Sequence, residues 1–197
     1  MLILLATTML FSACDKDDDN SVPPVITDLV TAYTGADKNI SYIATDDGTR
    51  WNLNHTIVTN YADTTLRCYC VYEIKDGKMG VYTLKNIFSN NPRPASSFSE
   101  YETSPVKLIS IWKSAGYVNM HLGIMTTGNG THKYGFALDS ISDTSVAYFT
   151  FLHKKPQEDA ESYTEDHYFS MPLTDYENVD SFVMNINTYE GKREFLF

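Results

Sequence analysis

LRCYCVYEIKDGKMGVYTLKNI, residues 66–87, is the stretch that decides the architecture. Leu66, Cys68, Cys70, Tyr72 and Ile74 alternate with Arg67, Tyr69, Val71 and Glu73. A period of two puts each set on one face of a β-strand, the first toward a core and the second outward. Asp76-Gly77 then supplies the residues a tight hairpin turn demands, and Met79 to Ile87 returns as the partner strand. The two cysteines share the apolar face. A disulfide between residues i and i+2 would need strained geometry. A metal or redox site would use a two-residue spacer and further ligands, so both cysteines read as small buried hydrophobes.

Upstream of this hairpin, Val25 to Tyr33 is β-branched and aromatic, and Ile40-Ser41-Tyr42-Ile43-Ala44 alternates cleanly. Asp46-Asp47-Gly48 turns that strand into Thr49 to Leu53. One strand and two hairpins make five strands over 22–90, which suits a small OB-like barrel. Downstream, SNNPRPASSFSEYETSP (89–105) is polar and holds three prolines, a boundary composition that predicts a linker over 91–105. Strand patterns then resume. Val106 to Lys113 leads into a Ser-Ala-Gly turn, and Val118, Met120, Leu122 and Ile124 form one face opposite Tyr117, Asn119 and His121. Val146 to His153 is apolar on both faces, as a central strand would be; His167, Phe169, Met171 and Leu173 alternate, as do Phe182, Met184 and Ile186. Seven short strands over 106–197 predict an Ig-like β-sandwich. The expected fold is all-β throughout.

The first residues carry an address. Leu2 to Phe11, LILLATTMLF, is an apolar run of ten. A membrane-spanning helix needs about 20 apolar residues, whereas a signal-peptide core is this short. The run ends in Phe11-Ser12-Ala13-Cys14, which resembles a bacterial lipobox: residues 1–13 would be removed and Cys14 acylated. Phe11 stands where that pattern prefers Leu, and no Lys or Arg precedes the run, as would follow from a start codon further upstream. Several acyl chains supply the two anchoring signals that stable membrane attachment needs. Asp15, Asp17, Asp18 and Asp19, with Lys16, make residues 14–21 an acidic tether carrying −3 of the formal −10 and leaving −7 for the remainder. Like charges keep such a segment extended. An acidic run directly after a lipidated cysteine resembles the surface-export signal of Bacteroidetes lipoproteins, so the expected location is the outer membrane, facing the cell surface.

The lipobox and tether, followed by ISYIATDDGTRWNL and LRCYCVYEIKDGKMGVYTLKNI, resemble the N-terminal OB-type domain of NigD-like proteins. PVKLISIWKSAGYVNMHLGI, SVAYFTFLHK and HYFSMPLTDY are similar to their C-terminal β-sandwich domain. The resemblance implies a two-domain lipoprotein of the Bacteroidetes cell envelope, with an association to bacteriocin gene clusters and no established catalytic residues.

The rest of the 197 residues narrows the function classes. A net charge of −10 disfavours nucleic acid, whose backbone calls for a basic face, and three cysteines build no disulfide framework. His55, His121, His132, His153 and His167 show no i, i+4 pairing on a helix and accompany no Gly-x-Ser-x-Gly elbow, so they read as surface or strand-end residues. Glu158, Asp159, Glu161, Glu165 and Asp166 read as a solvated loop, with calcium as the sharper reading although the EF-hand spacing is missing. No catalytic residue, metal ligand or cofactor motif emerges. Aromatics offer the one ligand-face candidate: Tyr42, Trp51, Tyr69 and Tyr82, with Tyr33 nearby, lie on or beside the barrel strands, where they could stack on a glycan or peptide. The leading reading is a surface-anchored, non-enzymatic binding or interaction lipoprotein, immunity-like or ligand-capturing, whose partner is an envelope protein, a peptide or a glycan. The rival readings are a structural accessory subunit of an envelope complex and a glycan-processing enzyme.

Overall fold

The computed structural model describes residues 23–160 and 162–197. Cys14 and Asp15, Asp17, Asp18 and Asp19 lie outside the described residues, as does Glu161 of the acidic segment. Strands β1 (Ile26–Thr34), β2 (Ile40–Thr45), β3 (Arg50–Trp51), β4 (Thr65–Lys75) and β5 (Lys78–Asn86) form one sheet in the order β3-β2-β1-β4-β5. Its ends meet just past β3, where Leu53 bridges Met79 in parallel. There the Met79 N–H donates to the Asn52 carbonyl at 2.9 Å, and the Asn54 N–H donates to the Met79 carbonyl at 3.0 Å. The sheet is thereby curled into a five-stranded, partly open barrel. Val30, Ala32, Ile43, Cys68, Cys70, Tyr72 and Met79 fill it. Asp76 (φ 51°) and Gly77 (φ 71°) both take positive φ, the requirement of a type I′ hairpin turn, and so join β4 to β5 without splaying them. Both cysteines are free and buried; burial pushes the Cys68 thiol up to about 11 and the Cys70 thiol up to about 12, which leaves them protonated and inert.

The second half packs two sheets face to face. β6 (Arg93–Pro94), β9 (Lys133–Ile141), β10 (Val146–Lys154), β12 (Ser181–Thr188) and β13 (Gly191–Leu196) run in the order β13-β12-β10-β9-β6. β11 (Tyr163–Pro172), β8 (Tyr117–Thr126) and β7 (Lys107–Ser114) form the facing sheet. Met120, Leu122, Ile124, Phe169 and Met171 of this sheet interdigitate with Phe149, Phe151 and Met184 of the other. β10, apolar on both faces in the sequence, is the central strand. It lies parallel to β12 because the intervening β11 crosses to the opposite sheet.

Segment 91–105, which reads as a linker, also serves as the sandwich's border. Arg93 and Pro94 pair in parallel with Ala137 and Leu138 of β9. Farther along, the Ser104 N–H donates to the His153 carbonyl at 2.8 Å, and the His153 N–H donates to the Glu102 carbonyl at 2.9 Å. The same prolines that give the stretch its linker composition are tolerated at a sheet edge, where the missing N–H breaks no ladder.

The two domains are fastened by a buried charge. Arg67, on the outer face of β4, is only 4% exposed because the β11-β8-β7 sheet covers it. Its Nη1 and Nη2 donate to the Asp46 carboxylate at 2.5 and 2.7 Å in a bidentate fork. Nη2 also donates to Asn119 Oδ1 (3.1 Å), Nη1 to Thr31 Oγ1 (3.4 Å), and Nε to Ser170 Oγ (3.3 Å). The guanidinium lies 4.3 Å over the Tyr117 ring. Ser114 Oγ donates to Asp46 and accepts from Asn119 Nδ2, and Ser170 Oγ donates to Asn119 Oδ1 at 2.6 Å, which closes the network on the sandwich side. Removing one partner of a buried ion pair strands the other, at a cost of about 3–5 kcal/mol. Arg67→Ala is therefore expected to lower the unfolding free energy measured in urea by that order, and Arg67→Lys to restore little of it, since a lysine cannot make the fork. An Arg67→Lys midpoint equal to that of the parent would refute the role of the bidentate geometry.

Candidate functional site: the cleft between the domains

β5 ends the barrel sheet and β11 ends the three-stranded sheet, and the interdomain packing brings these two free borders alongside each other. They run in the same direction and touch at one point, where Phe88 bridges Phe169 in parallel and the Ser170 N–H donates to the Phe88 carbonyl at 3.0 Å. On the N-terminal side of that bridge the strands leave a cavity of about 420 Å³ between them. Four consecutive residues of one chain segment, Lys85 to Phe88, form one wall; Asp166 to Phe169 form the other; Tyr69 and Tyr134 complete it.

The walls are aromatic. Tyr69 meets Tyr168 at 5.1 Å, and Tyr168 stacks on His121 at 4.3 Å with an interplanar angle of 14°. On the sandwich side Tyr134 meets Phe169 edge-on at 4.9 Å, with Phe88 at 5.9 Å and His167 at 6.3 Å. Burial, reinforced by the Glu165 carboxylate, pushes the Tyr134 hydroxyl up to about 12, so it is a neutral hydrogen-bonding group. His121 Nε2 is buried without a hydrogen bond, although it lies 3.5 Å from Asp166 Oδ2; that separation permits attraction but is not a formed bond.

Behind Tyr134 runs a chain of buried polar groups. His153 Nδ1 lies 3.1 Å from the Ser104 carbonyl, His153 Nε2 lies 2.8 Å from His132 Nδ1, and His132 Nε2 lies 2.6 Å from Asp159 Oδ2. Asp159 also accepts from Thr126 Oγ1 and from the Thr127 N–H, both at 2.6 Å, and from Thr127 Oγ1. Burial alone would raise the Asp159 carboxyl, yet these donors outweigh it and hold the group well below the usual carboxylate range. His153 is pushed down to about 4, first by burial and then by the neighbouring His132, Lys155 and His167, against the Ser104 hydrogen bond. The carbonyl of Ser104 can only accept, so the neutral His153 carries its proton on Nδ1 and accepts at Nε2. His132 Nδ1 is then the donor to His153.

The sequence-predicted aromatics scatter. Tyr69 alone lines the cleft. Tyr42 stacks on Tyr33 at 4.3 Å, under the Arg50 guanidinium; Trp51 packs against the barrel core; Tyr82 is 61% exposed. His153 and Asp159, read as strand-end and solvated, are both buried, at 2% and 3% exposure, because segment 102–104 crosses one and His132, Thr126 and Thr127 enclose the other. Among the described residues no three His, Cys, Asp or Glu side chains gather as a metal site would need.

Residues 90–197 match the family model of the NigD-like C-terminal beta sandwich domain. The chain belongs to the NigD-like family. Similarity of fold extends beyond that domain. A NigD-like immunity protein from Bacteroides caccae superposes with a TM-score of 0.70 at 23% identity, covering 89% of this chain and 98% of that one. A protein from Parabacteroides distasonis described as toxin-related gives 0.70 at 19% identity, with 88% and 92% covered. A protein from Bacteroides fragilis described as a lipoprotein gives 0.57 at 9%, with 88% and 96% covered. No curated protein matches the sequence. In this NigD-like chain, the residues that reading by sequence missed are Lys85, Phe88, Tyr134, His167 and Tyr168. The one local signal for them was His167-Tyr168-Phe169, three consecutive rings that no single strand face can bury.

The histidine chain sets a pH dependence. His153 has a folded value below its ordinary 6.5, so its contribution is fully present above about pH 6.5 and is lost as pH falls through about 4. At 1.36 kcal/mol per unit that is on the order of 3 kcal/mol, with Asp159 adding to the loss at still lower pH. Urea midpoints measured from pH 8 to pH 4 should fall over this window, and the fall should flatten in His153→Gln. An unchanged profile in that variant would assign the acid sensitivity elsewhere.

Proposed function

We propose that this NigD-like chain is a non-enzymatic binding lipoprotein of the cell envelope, held at the outer membrane by acylated Cys14 and facing the cell surface, with its partner seated in the cleft between β5 and β11. The observation that carries this is the cleft itself: aromatic walls and two strand borders converge on one recess at a domain junction, the usual place for a ligand. The immunity protein and the lipoprotein among its structural relatives support the same class of role, and the acidic tether behind Cys14 supports the location.

The test of the site places a photoreactive phenylalanine analogue at Lys85, on the cleft wall, and at Tyr61, an exposed barrel position. Irradiation of intact cells should give a discrete adduct from position 85 that is lost in the Tyr134→Ala background and absent from position 61. Equal labelling at both positions, or none, would dismiss the cleft. For the location, Cys14→Ala should shift the chain from the membrane to the soluble fraction, and added protease should remove the acylated form from intact cells. Protection until lysis would place it on the inner side instead.

A further inference from the structure

Resting on that reading of the cleft, we infer that its occupant is an extended peptide segment of a partner protein, added as a β-strand between β5 and β11. The argument begins with the ladder. In antiparallel pairing, residues alternate between those that bond the neighbouring strand and those whose N–H and C=O point the other way. The Ile87 N–H donates to the Arg67 carbonyl at 2.9 Å, so Ile87 and Lys85 face β4, while Leu84, Asn86 and Phe88 turn their backbone groups outward. On the opposite wall the outward donation of Ser170 to Phe88 fixes the same alternation, and it turns Asp166 and Tyr168 outward as well. Among the described residues no strand pairs with these stretches of β5 and β11 before the Phe88 bridge. Two borders of unpaired backbone thus face one slot, spaced at the strand period and running in the same direction. One extended backbone satisfies both. It would make the barrel sheet and the β11-β8-β7 sheet continuous through the cleft, the recognition mode of strand addition.

The side chains around the slot refine the occupant. Successive residues of an inserted strand would point alternately toward Tyr69 and Tyr168 on the barrel side and toward Tyr134 and His167 on the sandwich side, so both sets of positions favour apolar or aromatic side chains. The slot is closed at the Phe88 bridge, and three residues before it the two walls carry one cation and one carboxylate, Lys85 and the 62%-exposed Asp166. A second folded copy of this chain does not meet these requirements, because its strand borders would have to enter a recess walled on both sides.

The experiment uses the full chain in detergent micelles and a phage-displayed library of random heptapeptides. Selected peptides should share alternating apolar positions, and binding should slow hydrogen exchange at the amides of Leu84, Asn86, Asp166 and Tyr168. N-methylation of a backbone nitrogen within the slot, at either parity because alternate residues bond opposite walls, should weaken binding tenfold or more, with N-methylation of a residue beyond the slot as the matched control. Asn86→Pro removes an outward N–H without touching the β4 ladder and should weaken binding equally, and its unfolding midpoint reports whether the barrel stands. The peptide series leaves the protein unaltered, so it decides the matter where that variant fails to fold. Peptides indifferent to N-methylation, or protection away from the two walls, would overturn strand addition. An empty selection beside a persisting adduct at position 85 would overturn it too and leave a non-peptide ligand such as a glycan in the cleft; loss of the adduct as well would end both readings.

Discussion

A guanidinium sealed from water must find an acceptor for each of its five N–H groups, and Arg67 finds them on both sides of a domain boundary. Asp46 takes two and Thr31 one from the barrel; Asn119 and Ser170 take the others from the sandwich. No rotation of one domain against the other keeps this set intact, because the acceptors belong to β1, the β2–β3 turn, β8 and β11, each fixed by its own sheet. The relative placement of the domains is therefore specified by hydrogen-bond geometry rather than by apolar area alone. A buried ion pair adds little net stability over a well-packed apolar contact, but it penalises every arrangement that leaves it unpaired.

The cleft is a consequence of that clamp. β11 contributes Ser170 to the Arg67 network and, two residues earlier, Tyr168 to the cleft wall; β4 contributes Arg67 to the network and Tyr69 to the wall. Since alternate residues of a strand share a face, the same two strands that meet at the clamp must present their next aromatic pair to each other at the cleft. The Phe88–Ser170 bond then sets where the borders touch and where they part. Exposed strand borders invite unwanted pairing, and proteins ordinarily cover or charge them. Here they are recessed between two domains, accessible to a single strand and shielded from another sheet.

How much of this was legible in the sequence follows from the range of each interaction. The hairpins at Asp76-Gly77 and Asp46-Asp47-Gly48, the barrel strands and the central character of β10 are written in local period and turn chemistry, and they read directly. Arg67 read only as an outward residue, because what covers it lies 52 and 103 residues away in Asn119 and Ser170. A polar side chain on the outer face of one domain looks the same whether water or another domain lies beyond it. His153 failed for a related reason: beside Lys154 and Lys155 it looks like a strand end, and it is buried by a proline-rich segment whose composition advertises a linker. Tyr69 alone of the four candidate aromatics reached the cleft, since strand propensity selects aromatics for packing as readily as for binding.

The two buried polar networks differ in kind, and the cleft lies between them. Arginine keeps its charge throughout the physiological pH range, whereas a histidine pair changes its donors and acceptors as it titrates. On the sandwich side, protonating His153 would place N–H groups of both rings nose to nose across 2.8 Å. Tyr134 stacks on His153 at 5.4 Å and forms the cleft wall, so any rearrangement of that ring pair is felt at the site. The barrel wall is tied through β4 to the Arg67–Asp46 pair instead. A cleft with one wall held by an arginine–carboxylate fork and the other by a histidine chain has two supports of different chemistry, and only the first also fixes the domain alignment that creates it.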